Sequence, residues 1–368
     1  MKWSLLGLIL IAACSSKVKL PKLDSPERDV KVLTVAWNKN LDLEYRSGNL
    51  PIGLGAPRIY EDMVYMGTLN GVMNAFDLES GRQVWSEQEG TPLGAPVVYF
   101  NDHVGYGGES GRFFVRHYLT GKLKYAVDLG SPIESAPVFH NGRLLIYLRG
   151  HQIAQLDAET GKVIWVYKRA IPITTTLQRT SKPLMVGNKI IIGFADGFAA
   201  ALSFEEGLLL WETRIASGAK FVDVDLNPLF SKGMVIIGSP SANLVAMNPD
   251  SGSVAQSYTL SSAAHPVLVN EQILLGTNDG EVVLMSLSGE ILKREKVSPL
   301  AISAIAWWKG HIIAAGLDKN IYAIDPLELK VVDKFSLGHA FSAVYSDLVV
   351  NDSYMAVYSS RNRLYIFK

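Results

Sequence analysis

Cysteine is almost missing from this sequence; Cys14 is the only one. That excludes an intramolecular disulfide and any cysteine-built zinc or redox centre, so stability has to come from a packed core. Net charge is missing too, since 35 basic residues balance 35 acidic ones and are scattered rather than gathered into a stripe. No strong electrostatic attraction to nucleic acid or to a membrane surface follows. Helical periodicity is nearly absent, and the one long apolar run, at the N-terminus, is too short to be a stable bilayer span. The seven histidines, His103, His117, His140, His151, His265, His311 and His339, show no two at metal-ligand spacing on one strand. There is no Gly-x-Ser-x-Gly elbow. No metal set and no catalytic constellation is expected.

What the sequence does have is repetition. Ala75-Phe76-Asp77-Leu78-Glu79-Ser80-Gly81 is followed by Trp85, and Gln155-Leu156-Asp157-Ala158-Glu159-Thr160-Gly161 by Trp165. The period is about 40 residues, which marks one supersecondary unit stacked many times. The turn glycine recurs at Gly81, Gly121, Gly161, Gly207, Gly252 and Gly289, with Leu329 in the same place once more. The Trp place is held by Trp85, Tyr125, Trp165, Trp211, Gln256, Lys293 and Asp333. Trp37 stands alone near the start, and the strands it would need lie at the far end, in 349–368. Seven whole units and one divided between the termini make eight.

Each unit reads as four strands. A first strand begins near Pro57, Pro96, Pro137, Pro183, Pro228 or Pro266, with Ile305 and Asp347 in similar places. A β-branched run such as Lys189-Ile190-Ile191-Ile192-Gly193 follows. Next comes a hairpin at Asn70-Gly71, Ser110-Gly111, Asp196-Gly197 or Asp279-Gly280, where glycine and asparagine accept positive φ. The third strand runs into the Asp-x-x-x-Gly turn, and the fourth carries the Trp. The pattern predicts an all-β, eight-bladed β-propeller of four-stranded antiparallel blades, its ring closed by pairing of N- and C-terminal strands. The Trp is expected to fill the wedge between blades and the Asp to shape its turn. His117, in an Asp place, reads as a turn substitute. Gly105-Tyr106-Gly107-Gly108-Glu109-Ser110 has a glycine-loop look, but without a third glycine or a following helix it reads as strand and hairpin.

The N-terminus predicts export. Met1-Lys2 is basic, an apolar core follows, and Ala12-Ala13 precede Cys14, as in a secretory leader. Ile11-Ala12-Ala13-Cys14 has the form of a lipobox, so residues 1–13 are expected to be removed and Cys14 lipidated. Ser15 and Ser16, rather than Asp, suggest outer-membrane sorting, with acyl chains supplying the membrane affinity. Residues 14–30, with Pro21 and Pro26, read as the lipidated Cys and a flexible tether, and 31–368 as the propeller. Asn351-Asp352-Ser353 fits a glycosylation sequon, a match without meaning behind a bacterial lipoprotein leader.

Two links between units are longer, stretching the spacing to about 45 residues. One is Thr174-Thr175-Thr176-Leu177-Gln178-Arg179-Thr180; the other, one unit later, is Lys220-Phe221-Val222-Asp223-Val224-Asp225-Leu226. Insertions at one end of adjacent blades make one surface, often the binding surface of a repeat protein. Asp223 and Asp225 are two apart, so an extended chain points both carboxylates the same way. They read equally as loop caps or as half of a recognition patch with Arg179, whose charge is otherwise simply solvated.

The Ala-x-Asp-x-x-x-Gly-x-x-x-Trp phrase resembles the repeat of pyrroloquinoline-quinone-type propellers. With a lipobox, eight units and no further domain, the chain resembles the BamB family, lipoproteins of the outer-membrane β-barrel assembly machinery. Asp223-Val224-Asp225-Leu226-Asn227-Pro228 is similar to the family's Asp-Val-Asp-x-x-Pro. Thr175-Thr176-Leu177-Gln178-Arg179 resembles its Leu-x-Leu-Arg stretch but departs at Thr175. The resemblance implies a non-catalytic scaffold, without cofactor or metal, that binds a POTRA domain of a BamA-like protein and aids unfolded outer-membrane clients. Leu177, Gln178, Arg179, Asp223 and Asp225 would be the partner-binding residues, on a protein held by lipid at the periplasmic face of the outer membrane. Replacing both Asp residues is then expected to weaken docking with little change in melting. Two alternatives share the repeat. A quinoprotein dehydrogenase would be much longer and carry a vicinal cysteine pair, which a chain with only Cys14 lacks; a periplasmic propeller lipoprotein could bind another ligand or partner.

Overall fold

Eight four-stranded sheets follow one another around a ring. The structure, a computed structural model, describes residues 31–42, 55–169, 181–218, 222–338 and 342–368. Blade 1 is Arg58–Tyr60, Met63–Gly67, Val72–Asp77 and Gln83–Gln88, paired in that order and antiparallel throughout. Blades 2 to 7 begin at Val98, Val138, Leu184, Leu229, Val267 and Ile302 and repeat the plan. Blade 8 is split: Val35–Asn40 pairs with Arg363–Phe367, which continues to Met355–Tyr358 and Val349–Val350. Val35 lies opposite Phe367 and Trp37 opposite Ile366. Closure by strand pairing leaves this sheet no unpaired seam in the ring.

Burial follows strand position. The middle strands are covered on both faces, so they read as continuous apolar runs; every residue of Met63–Gly67 is buried. The fourth strands are outermost and alternate, and in Gln83–Gln88 Trp85 alone is fully buried. Among the described residues there are eight clusters of buried apolar side chains, each lying between two neighbouring blades. In blade 1, Val64, Met66 and Phe76 face blade 8, whereas Tyr65, Met73 and Ala75 face blade 2. Period-2 alternation thus feeds both flanks of a blade, each large apolar side chain contributing roughly 1.5–3 kcal/mol by leaving water.

At five of the eight interfaces the residue in the Trp place locks one blade to the next through one repeated bond. The indole N–H of Trp37, Trp85, Trp165 and Trp211 donates to the carbonyls of Leu78, Tyr118, Phe204 and Pro249 at 2.8, 2.8, 3.2 and 2.9 Å. The Tyr125 hydroxyl does the same to Ala158 at 2.9 Å. Each accepting carbonyl belongs to the residue after the turn Asp, or its stand-in, of the following blade. The turn glycine lies directly under the ring: a Cβ on Gly81, Gly121, Gly161, Gly207 or Gly252 would come within 2.5–2.9 Å of it. These glycines also hold φ between 68° and 74°, so both the backbone and the ring demand them. A bulge recurs opposite the plug, as between Ala75, paired with Trp85, and Phe76, paired with Gln83.

Two details differ from the sequence reading. Gln256 fills the Trp place of blade 5, but the carbonyl of Leu287 is reached by Tyr258, two residues on, at 3.0 Å, while Gln256 donates to Ser288. The first strand of blade 7 begins at Ile302, three residues before Ile305. The turn chemistry is as expected: Asp77 and Asp157 accept from the backbone N–H of Ser80 and Thr160 at 2.8 Å, and His117 accepts from Leu119 in the same way.

Candidate functional site

Strand direction puts every link from one blade to the next at the same end of the sheets as the hairpins between second and third strands. The link from blade 4 to blade 5 is pressed against the blade 4 hairpin. The Val224 N–H donates to the Phe194 carbonyl at 3.0 Å. Gly193 is required there, because a Cβ would stand 1.9 Å from the Val224 carbonyl oxygen. Val224 and Leu226 are buried among the blade 4–5 and blade 5–6 clusters.

Asp223 and Asp225 are buried with them, at 0 and 1 % exposure. A carboxylate taken from water has to be held by charge or hydrogen bonds. Both lie inside the link rather than at an exposed rim. Leu177, Gln178 and Arg179 lie outside the described residues, as does Cys14. What is visible of the two links is joined at their ends. The Ser181 hydroxyl donates to the Leu226 carbonyl at 3.3 Å, and the Lys182 N–H to the Asn227 side-chain oxygen at 2.9 Å. The Asn227 N–H in turn donates to His265 Nδ1 at 3.1 Å.

Beside this link lies a charged group that the sequence reading missed. Arg169, at the end of blade 3, pairs with Asp196 at 2.9 Å and with Glu212, both on blade 4. Its guanidinium also lies over the rings of Phe194 and Phe198, 5.3 and 4.8 Å from their centroids. Burial works against the charge of Arg169, but hydrogen bonds to Glu212 and Asp196 outweigh it and raise its pKa. His151, on the blade 3 hairpin, packs edge-on to Phe194 and is held below its ordinary pKa by burial, against the pull of Asp196. The buried Tyr147 hydroxyl is pushed up first by burial, then by Glu134, Asp196 and Asp223. Asp223 thus acts electrostatically on the same group as Asp196. The available signal was the Asp196-Gly197 hairpin, read only as a turn, beside an arginine opening the longer link. Chemically this is a largely buried, ion-paired junction between blades 3 and 4. Among the described residues no group of three or more His, Cys, Asp or Glu could hold a metal ion, and no helix is long and apolar enough to cross a membrane.

Eight four-stranded blades, a ring-closing split blade and a plug bonded across one blade interface after another define a β-propeller of the PQQ-like-repeat class. A family model described as outer membrane protein assembly factor BamB matches residues 69–295. The chain belongs to that family. BamB of Yersinia pestis is 24 % identical over 337 residues, covering 81 % of this chain and 84 % of that one. BamB of Shewanella oneidensis is 21 % identical over 386 residues, covering 98 and 95 %. The crystal structure of BamB from Moraxella catarrhalis superposes with a TM-score of 0.77 at 18 % identity, over 92 % of this chain and all of that one, a likeness of fold.

Proposed function

We propose that this protein is a non-catalytic scaffold lipoprotein of outer-membrane protein assembly, docking a BamA-like POTRA domain with the link face of blades 3 to 5. In this reading residues 1–13 are removed, Cys14 carries the lipid, 14–30 tether the ring, and 31–368 form it at the periplasmic face of the outer membrane. Leu177 supplies apolar contact, Gln178 and Arg179 polar contact, and Asp223 and Asp225 hold the neighbouring link in shape. No cofactor or nucleic acid is required. The observation that carries the proposal is the link at 222–227. It is clamped to blade 4 by Val224, holds two buried carboxylates, and is tied to residues 181–182. A pre-shaped surface loses little conformational freedom on binding.

The test is capture of the BamA-like partner by wild type, by Asp223→Ala with Asp225→Ala, and by Arg179→Glu, with melting curves alongside. Losing a buried, hydrogen-bonded charge costs roughly 2–5 kcal/mol, so the double variant should lose both docking and melting temperature. Arg179→Glu should lose docking alone. Full capture by both variants would remove the link face from the proposal. Mass spectrometry of the mature protein and fractionation of Cys14→Ser test the anchor: an unmodified Cys14 in the outer-membrane fraction would contradict it.

A further inference from the structure

The first strands of neighbouring blades approach one another around the axis, and a cavity of about 340 Å³ lies between them. Its walls come from the first strands of blades 1, 2, 3 and 8, from the residues that lead into them, and from those that lead into blades 4, 5 and 6. Two cations project into it from blades three places apart in the ring, Arg58 and Lys182. Among the described residues neither has an ion-pair or hydrogen-bond partner for its side chain. Both are exposed to the cavity yet crowded by its walls. The Lys182 ammonium is held below its ordinary pKa first by that crowding and then by the Arg58 charge, with Asp347 opposing; Arg58 is lowered by crowding alone.

Two carboxylates also line the cavity, and Asp347 acts on the Lys182 charge. Glu134 is engaged by Arg149, and Asp347 lies 3.8 Å from His265 Nε2. Two serine hydroxyls line the same cavity, Ser135 at 4 % and Ser346 at 7 % exposure, and neither has a hydrogen-bond partner. A buried hydroxyl without a partner carries a desolvation cost that a bound acceptor would remove. Two like charges sharing a confined space likewise repel until an opposite charge enters.

We propose that the axial cavity is a binding site for a small oxyanion, a carboxylate or phosphate group bridging Arg58 and Lys182 and accepting from the Ser135 and Ser346 hydroxyls. Arg58 supplies planar paired donors and Lys182 a point charge, the combination that suits an oxygen cluster of two or more negative charges. The volume is at the small end of ligand pockets, which favours a compact ion over an extended cofactor. Occupation would also stabilise the ring, because the cavity walls come from seven of the eight blades.

Isothermal titration and thermal melting test the site on the whole mature protein, with citrate and inorganic phosphate as probes at ionic strength fixed with sodium chloride. A saturable 1:1 heat and a rising melting temperature are expected for at least one probe. Citrate alone would assign an organic polycarboxylate, phosphate alone a phosphate-bearing ligand, and either supports the site. Arg58→Gln and Lys182→Met should each weaken binding at least about tenfold, the loss of one charge-assisted contact. Lys182→Met should also melt higher than wild type without ligand, because the repulsion is gone. Lys189→Met, which removes an exposed pair with Asp250 outside the cavity, should bind as wild type does. If Arg58→Gln fails to fold, Lys182→Met and Ser346→Ala carry the comparison. No saturable binding of either ion, or unchanged affinity in the folded variants, overturns the proposal.

Discussion

The blade interfaces from 8–1 to 4–5 and those at 6–7 and 7–8 share one backbone plan and solve it with different side chains. In the first group an indole or phenol packs on a turn glycine and donates to the carbonyl three residues before it. At 6–7 the Trp place is Lys293, and its ammonium takes the same carbonyl, that of Pro326, at 3.0 Å. The glycine place is Leu329, held at φ 55° and buried in the interface cluster. Leu284 also replaces the small Ala75 that faces Trp85 in blade 1. Two leucines therefore fill part of what the indole fills elsewhere, and a groove of about 300 Å³ lined by Leu274, Leu284, Trp307 and Leu327 remains. At 7–8 the plug is Asp333, which accepts from the Leu33 N–H at 2.7 Å, while Trp308, on a first strand, donates to the Asn351 carbonyl. The invariant of the interface is the bridged backbone group. The apolar volume is negotiable when both partners change together.

Four experiments would break or sharpen that comparison. The largest effect is expected from deleting 349–368, which removes three of the four strands of blade 8 and opens the ring. Loss of a single cooperative melting transition and self-association through exposed strand edges are expected, read by melting and size-exclusion chromatography. A monomer with unchanged melting would show that closure is dispensable. Second, Trp85→Ala should cost about 3–5 kcal/mol in urea denaturation, as for a buried aromatic, whereas Lys293→Ala should cost about 1 kcal/mol, the worth of its hydrogen bonds. Equal costs would dissolve the distinction between the two groups. Third, Lys293→Trp alone should destabilise by roughly 1–3 kcal/mol, because the indole meets Leu329, and Leu329→Gly added to it should restore or exceed wild-type stability. Simple additivity would mean that the two places are not coupled.

The smallest effect concerns acid. Hydrogen bonds from Ser80 hold the Asp77 carboxyl below its ordinary value, and those from Thr160 do the same for Asp157. A carboxyl lowered by folding contributes stability that is complete above its unfolded value near 4, and that is lost as the pH falls through the folded one. Asp77→Ala should therefore lower stability slightly near pH 7, where the contribution is complete, and converge on wild type as the pH falls, so that its acid limb is flatter. An identical acid limb in the variant would remove the turn carboxylates from the account.

Much of this was legible because it is local. The Asp, Gly and Trp places, the hairpin glycines and the Trp37 strand without neighbours each lie within one unit, and together they specify eight blades and a split closure. Tyr258 was not legible as a plug, since its reach to Leu287 depends on how blade 5 leans on blade 6. Asp223 and Asp225 were legible as a same-side pair in an extended link. That the pair is buried was not, because burial depends on the Gly193–Phe194 backbone against which the link closes.

By itself the sequence determined the repeat, its number and the residue in each plug place, all readable from spacing and residue chemistry along one chain. Only the tertiary structure decided which of those residues meet. Arg169 finds Asp196 because blades 3 and 4 stand side by side, and Arg58 faces Lys182 because closing the ring brings the first strands of distant blades around one axis. Residues separated by two or three blades carry no mark of each other in local pattern. Their contact is a property of the closed circle.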